Sequence, residues 1–215
     1  MKIKKWLTAT PDLQKARSLS TACGFSPLAA AVLCARGVDT KEKAETFLAT
    51  DLEHLYDPML LKDMDLAVKA LKDAIEKNEK IIVFGDYDVD GITSTCVLLR
   101  YLKSKGANAD YYIPNRLSEG YGLSCSAMDT LYSQGVRTIV TVDSGVTALE
   151  EIKHATELGM RVIVTDHHEC REQLPVATAV VNPRRSDCDY PFDELAGVGV
   201  AFKLICAMEG AENLA

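Results

Sequence analysis

The chain has 215 residues, enough for one large domain or two small ones. Hydrophobic residues make up 47% and charged residues 26%, which excludes a disordered chain; 24 Lys and Arg against 31 Asp and Glu leave a net charge of −7, which argues against bulk electrostatic binding to nucleic acid or an anionic membrane. No apolar run approaches the roughly 20 residues of a membrane span, and the basic start Met1-Lys2-Ile3-Lys4-Lys5-Trp6 leads into no apolar signal core, so the expected location is the cytoplasm.

Residues 1–78 carry no strong strand signal and are expected to form short helices, broken by Pro11, Gly24-Phe25-Ser26-Pro27, Gly37 and Asp57-Pro58. One helix is expected to start at Thr40-Lys41-Glu42. Another spans 65–77, with Leu66, Ala70 and Ala74 on one stripe beside Leu71 and Ile75. From residue 79 the period changes. Continuous, mostly β-branched runs at 81–84, 109–113, 138–142, 161–164 and 177–181 predict strands buried on both faces. Amphipathic stretches at 92–105, 124–134 and 147–158 lie between them, the last opening on a capping-box pattern, Thr147-Ala148-Leu149-Glu150. A further helix is expected over 197–209, after Gly197-Val198-Gly199. This alternation predicts an α/β fold: a Rossmann-like, mainly parallel five-stranded sheet flanked by helices, over 79–215, preceded by a helical N-terminal region over 1–78.

Cys23, Cys34, Cys96, Cys125, Cys170, Cys188 and Cys206 are odd in number and none has CxxC spacing, so free thiols are expected rather than a zinc site or a disulfide framework.

In a parallel sheet, ligands sit at the carboxyl ends of the strands. After the first strand comes Gly85-Asp86-Tyr87-Asp88-Val89-Asp90-Gly91, three carboxylates that repel one another unless a cation neutralises them. A solvated acidic turn with Asp90 as helix cap is the plainer alternative, but a cap requires one Asp rather than three. After the third strand comes Asp143-Ser144-Gly145, and after the fourth Asp166-His167-His168-Glu169, which holds two of the four histidines. Each of these alone has an ordinary explanation, as a cap or as surface imidazoles. Their coincidence at three strand ends does not. Carboxylates with imidazole and no thiolate suit Mn²⁺ or Mg²⁺. Several converging carboxylates can hold two ions about 3.5–4 Å apart, the arrangement that clamps both oxygens in phosphoryl chemistry, with Asp143 on the middle strand as the natural bridge.

Two other motifs begin similarly. An EF-hand loop requires Glu at its twelfth position, where this chain has Val97, and it should follow a helix rather than a strand. A haloacid-dehalogenase-type phosphatase would use Asp86 as covalent nucleophile, but it leaves the histidine pair idle.

The set Gly85–Gly91, Val142-Asp143-Ser144-Gly145 and Asp166-His167-His168 resembles the DHH phosphoesterase superfamily. Tyr112-Ile113-Pro114-Asn115-Arg116, Glu119-Gly120-Tyr121-Gly122, Val181-Asn182-Pro183-Arg184 and Leu195–Leu204 narrow the resemblance to the RecJ-type single-stranded-DNA exonucleases. The resemblance implies a metal-dependent 5′→3′ exonuclease of DNA repair and recombination that releases 5′-mononucleotides. By the same resemblance, Asp86, Asp88 and Asp143 hold one Mn²⁺ (or Mg²⁺), and Asp90, Asp143 and His167 hold a second. His168 then contacts the scissile phosphate or donates a proton, Asp166 orients the loop from behind, and Arg116 and, more weakly, Arg184 bind phosphate. The implied partners are single-stranded DNA and, on family grounds alone, a single-strand-binding protein or helicase. A phosphoesterase of short oligonucleotides or cyclic dinucleotides and a catalytically incomplete binding fragment are the alternatives. The chain departs from the pattern at Ser144, where Cys is common. It also shows no Asp-bearing strand after residue 209, so it is expected to end before the superfamily's fourth motif, without a C-terminal substrate-binding or OB-type domain.

Overall fold

The computed structural model describes residues 10–50, 55–115 and 122–210, and the chain divides into two compact units, 1–55 and 56–215. The first unit holds three short helices, α1 (Leu13–Cys23), α2 (Pro27–Ala35) and α3 (Lys41–Leu48). Each starts on a side-chain cap, from Asp12, Ser26 and Thr40 respectively, which satisfies amides that have no partner in the first turn. Ala16, Leu19, Ala30, Leu33, Val38 and Ala44 form its core.

The second unit runs through a 3-10 turn (Pro58–Leu60), α4 (Met64–Glu76), β1 (Lys80–Phe84), α5 (Val89–Ser104), β2 (Ala109–Tyr112), α6 (Cys125–Ser133), β3 (Val136–Val142), α7 (Leu149–Glu157), β4 (Arg161–Thr165), β5 (Ala179–Val181) and α8 (Gly197–Glu209). The five strands are all parallel, in the order β2-β1-β3-β4-β5. This is the α/β sheet expected from the apolar runs.

Side chains alternate between its two faces, as the pleat requires. Ile81, Val83, Val140, Val142, Ile163 and Val181 pack with Leu71 of α4, Leu98 and Leu102 of α5 and Leu204 of α8. Ile82, Phe84, Ile139, Val162, Val164 and Val180 pack on the other face with Met128 and Leu131 of α6 and Ile152 of α7. Every one of these side chains is buried, which is why the strands read as continuous rather than alternating apolar runs.

Three expectations need correction. The division expected after residue 78 falls instead between residues 55 and 56, because α4 buries Ala67, Ala70, Leu71 and Ala74 in the sheet's own core. The capping box does not form: α7 starts at Leu149 after Ala148, with no side-chain cap. The loop before it is shaped instead by left-handed Asp143 (φ 57) and Gly145 (φ 110) and by a bond from the Val146 amide to Asp166 Oδ2 at 2.9 Å. The fifth strand is shorter than its apolar run and begins at Ala179.

β5 is an edge strand, and its outward backbone groups at Val180 are both covered. The Val180 amide donates to Asp63 Oδ2 (3.2 Å), and its carbonyl accepts from Arg185 Nη1 (2.6 Å). Arg185 is itself buried and paired with Asp63 and Asp187, so the edge offers no free ladder at this point.

Candidate metal centre

In strand order 2-1-3-4-5 the chain leaves β1 toward one side of the sheet and β3 toward the other. The crevice at their carboxyl ends is where ligands bind in such folds. Every acidic and imidazole group singled out above lies at these carboxyl ends, after β1, β3 and β4.

The loop after β1 turns tightly into α5. Gly91 makes the turn feasible, since a Cβ there would lie 2.6 Å from the Asp86 carbonyl oxygen and 2.7 Å from its carbon. Asp86 is buried. The α5 N-cap is Asp88, whose Oδ1 accepts from the Gly91 amide at 2.9 Å, and not Asp90. Asp90 turns to a different helix. Its Oδ2 accepts from the Gly197 amide (2.7 Å) and its Oδ1 from the Val198 amide (2.8 Å), both in the first turn of α8.

Asp143 follows β3 in the left-handed conformation, which Asp tolerates better than most residues. It is 2% exposed, and its Oδ1 makes no hydrogen bond. His167 Nε2 lies 3.0 Å from that oxygen but without hydrogen-bond geometry. Burial, then the nearby charges of Asp90 and Asp88, push the Asp143 carboxyl up to about 7. A buried carboxylate oxygen without a donor, crowded by other carboxylates, is chemically suited to a cation.

After β4, Asp166 is almost fully buried and organises the histidines. Its Oδ1 accepts from the His167 amide (2.7 Å) and the His168 amide (3.2 Å), and it pairs with His168 Nδ1 at 2.7 Å. Burial would raise the Asp166 carboxyl, but the His168 ring and the Val146 and His168 amides outweigh it and hold it below the usual range. The same hydrogen bond raises His168 against the effect of burial. Asp166 thereby fixes the His168 proton on Nδ1 and leaves Nε2 free, the arrangement that carboxylates impose on working histidines. Asn182, fully buried just after β5, donates to the His168 carbonyl at 3.0 Å and holds the loop from the other side.

The ligand-capable atoms fall into two groups that share Asp143. Those of Asp86, Asp88 and Asp143 lie within 4.8 Å of one another, and so do those of Asp143, His167 and His168. The first group is the one anticipated for one ion. In the second, His168 stands in the close trio, while Asp90 is nearby, its Oδ2 3.7 Å from His167 Nε2. This hard, thiolate-free set of oxygen and imidazole donors, with its orphaned Asp143 oxygen, fits Mn²⁺ or Mg²⁺.

Arg116 lies outside the described residues. The Arg184 guanidinium is engaged by acceptors of its own, Glu169 Oε1 at 2.6 Å and the Asp193 carbonyl at 3.2 Å. The contributions of Gly197, Val198 and Asn182 were not assigned from the sequence, although the segments that hold them, Val181–Arg184 and Leu195–Leu204, carried the resemblance. Gly197 and Val198 act through backbone amides, and Asn182 acts with its side-chain amide on a backbone carbonyl.

A family model described as "DHH family, N-terminal domain" matches residues 80–215. A Bacillus subtilis protein named single-stranded-DNA-specific exonuclease RecJ is 47% identical over 206 residues, covering 96% of this chain and 26% of that protein. The Escherichia coli protein of the same name is 40% identical over 183 residues, covering 85% of this chain and 31% of that protein. The crystal structure of RecJ from Thermus thermophilus in complex with Mn²⁺ superposes with a TM-score of 0.72 at 30% identity, covering 97% of this chain and 29% of that one. The chain thus spans about a quarter to a third of the length of these curated relatives.

Proposed function

This chain belongs to the DHH family, and on that premise we propose that it serves metal-dependent hydrolysis of phosphodiester bonds in single-stranded DNA. The proposed direction is 5′→3′, with release of 5′-mononucleotides, in cytoplasmic DNA repair and recombination. The observation that carries the proposal is the buried, donorless Oδ1 of Asp143, set between two groups of metal-capable side chains. The names of the curated relatives, and solved RecJ structures holding Mn²⁺ or Mg²⁺, support the choice of substrate and metal. No helix among the described residues is long and apolar enough to cross a membrane.

In this proposal Asp86, Asp88 and Asp143 hold one ion, and Asp90, Asp143 and His167 the other. When bound, the ions supply positive charge to the phosphate oxygens and an acidified attacking water. The chain's own residues set the geometry. Asp143, its backbone set between β3 and the Gly145 turn, would be the ligand that the two ions share. His168, anchored through Nδ1–H to Asp166 and raised in pKa by that bond, would present the Nε2–H of its imidazolium for a phosphate contact or for proton transfer to the leaving oxygen, ending as the neutral ring. The net charge of −7 is compatible with a nucleic-acid substrate because bound cations reverse the local field.

The test is to incubate the protein and its Asp143→Ala variant with Mn²⁺ and three substrates: a long single strand, the matching duplex and a dinucleotide. The proposal expects mononucleotides from the single strand, little from the duplex and none with Asp143→Ala. Faster hydrolysis of the dinucleotide would replace it with a small-substrate phosphoesterase. Mn²⁺ binding with no hydrolysis of any substrate would replace it with a binding module.

A further inference from the structure

Asp90 sits between two demands. Its carboxylate is needed by an ion, and both its oxygens already accept amides from α8, at 2.7 and 2.8 Å. These demands are compatible, because an ionised carboxylate has about four acceptor sites and two amides use only half of them. The amides belong to a helix whose first turn has no side-chain cap of its own, so Asp90 supplies that cap from 107 residues away. A second contact is independent of the first. A Cβ on Gly197 would lie 2.5 Å from Asp143 Oδ1, the same buried oxygen that lacks a donor, and 2.7 Å from the Asp143 Cβ. One residue of α8 therefore touches Asp90 with its amide and Asp143 with its bare Cα.

We propose that the first turn of α8 is a positioning element of the metal centre: the Gly197 and Val198 amides orient Asp90 for the second ion, and Gly197 lacks a side chain so that Asp143 can reach both ions. The inference rests on the two-ion reading given above. The amides also withdraw charge from Asp90, which lets it lie near Asp143 and Asp88 before any cation arrives, and the helix dipole acts in the same direction. The first ion, at Asp86, Asp88 and Asp143, draws on α8 only through the space left by Gly197. The second draws on both contacts. Gly197 and Val198 are thus positioning residues, and loss of the Val198 amide acts unequally on the two ions.

Calorimetric titration of the metal-free protein with Mn²⁺, followed by low-temperature electron paramagnetic resonance for a spin-coupled Mn²⁺ pair, reads this inequality without any turnover. Val198→Pro removes one amide at a helix position where proline is tolerated. It is expected to keep the first ion within about threefold of wild type, to weaken the second by about tenfold or more, and to lose the coupled signal at Mn²⁺ concentrations that saturate wild type. Gly197→Ala is expected to weaken both ions, since its methyl displaces the shared Asp143. Gly199→Ala, whose Cβ would meet only the flexible end of Leu195 at 3.3 Å, is expected to bind as wild type does. Two ions bound by Val198→Pro with wild-type affinities would overturn the proposal, as would equal loss of both. If Val198→Pro does not fold, Gly197→Ala decides: a folded variant with an unchanged two-ion titration overturns it, and one with weakened binding supports it. A wild-type protein that takes up no second ion would overturn the two-ion reading itself.

Discussion

Asp143 concentrates the chemistry of this site in one side chain. Burial, then the facing charges of Asp90 and Asp88, push its carboxyl up from the ordinary 3.8 to about 7. A carboxyl raised on folding holds its proton more tightly in the native state. Its contribution to stability is therefore complete at pH values below the unfolded carboxyl's and is lost as the pH rises through about 7. His168, also raised, acts in the same direction, whereas Asp166, held low, loses its contribution only in acid. The metal-free protein is accordingly expected to be less stable at pH 8 than at pH 5, by about 1–3 kcal/mol in urea unfolding. Saturating Mn²⁺ should remove the difference, and Asp143→Asn should flatten the pH dependence while abolishing metal binding. A metal-free protein equally stable at both pH values would contradict the assignment. Most of the candidate site was legible in the sequence: Asp86, Asp88, Asp143, His167 and His168 stand in the two ligand-capable groups among the described residues, and Asp90 stands beside them. Their partners were less so. Asp166 announced itself through its position beside the histidines, but Asn182 gave no signal that it would hold the His168 carbonyl.

At the scale of elements, strands were easier to read than the turns that join them. Apolar runs locate β1, β4 and β5 and most of β3 because burial on both faces leaves few polar positions to interrupt them, whereas the edge strand β2, with Asp110 and an exposed Tyr111, is not buried on both faces as its run suggested. Helix starts were less reliable. Thr147 and Glu150 have capping-box spacing, yet the loop between β3 and α7 is committed to placing Asp143 and to the Val146–Asp166 bond, and the helix begins one residue too late for the box. The loop between β1 and α5 is constrained just as closely. Gly91→Ala would force a methyl into the backbone of Asp86 at 2.6–2.7 Å, with no side chain able to rotate away. It is expected to cost more than about 2 kcal/mol of stability and to weaken Mn²⁺ binding with it. Gly199→Ala, which meets only a leucine side chain, should stay within about 1 kcal/mol of wild type. Equal thermal unfolding of the two variants would show that the β1–α5 loop can relax where its geometry says it cannot.

At the scale of the whole molecule, the metal is expected to be part of the fold's stability. A ligand that binds only the native state at about 100 times its dissociation constant adds roughly 2.7 kcal/mol. For a chain of this size that corresponds to a rise in Tm of about 5–10 °C. Mn²⁺ should produce such a shift and a chelator should reverse it; a Tm indifferent to both would mean that the carboxylates do not gather an ion. By itself the sequence determined the fold class, the five strands and the helices between them, and it pointed to the side chains of the candidate site. Each of these follows from local information: the period of apolar residues along an element and the residue types that follow each strand. Only the tertiary structure decided that α4 belongs to the sheet, that β1 lies between β2 and β3, that Asp88 rather than Asp90 caps α5, and that Asp90 instead receives two amides from α8. These depend on contacts between segments that can lie more than 100 residues apart, such as the 117 between Asp63 and Val180 and the 108 between Asp90 and Val198. Such contacts are fixed by how the crossovers pack on the two faces of the sheet, and no local periodicity records that.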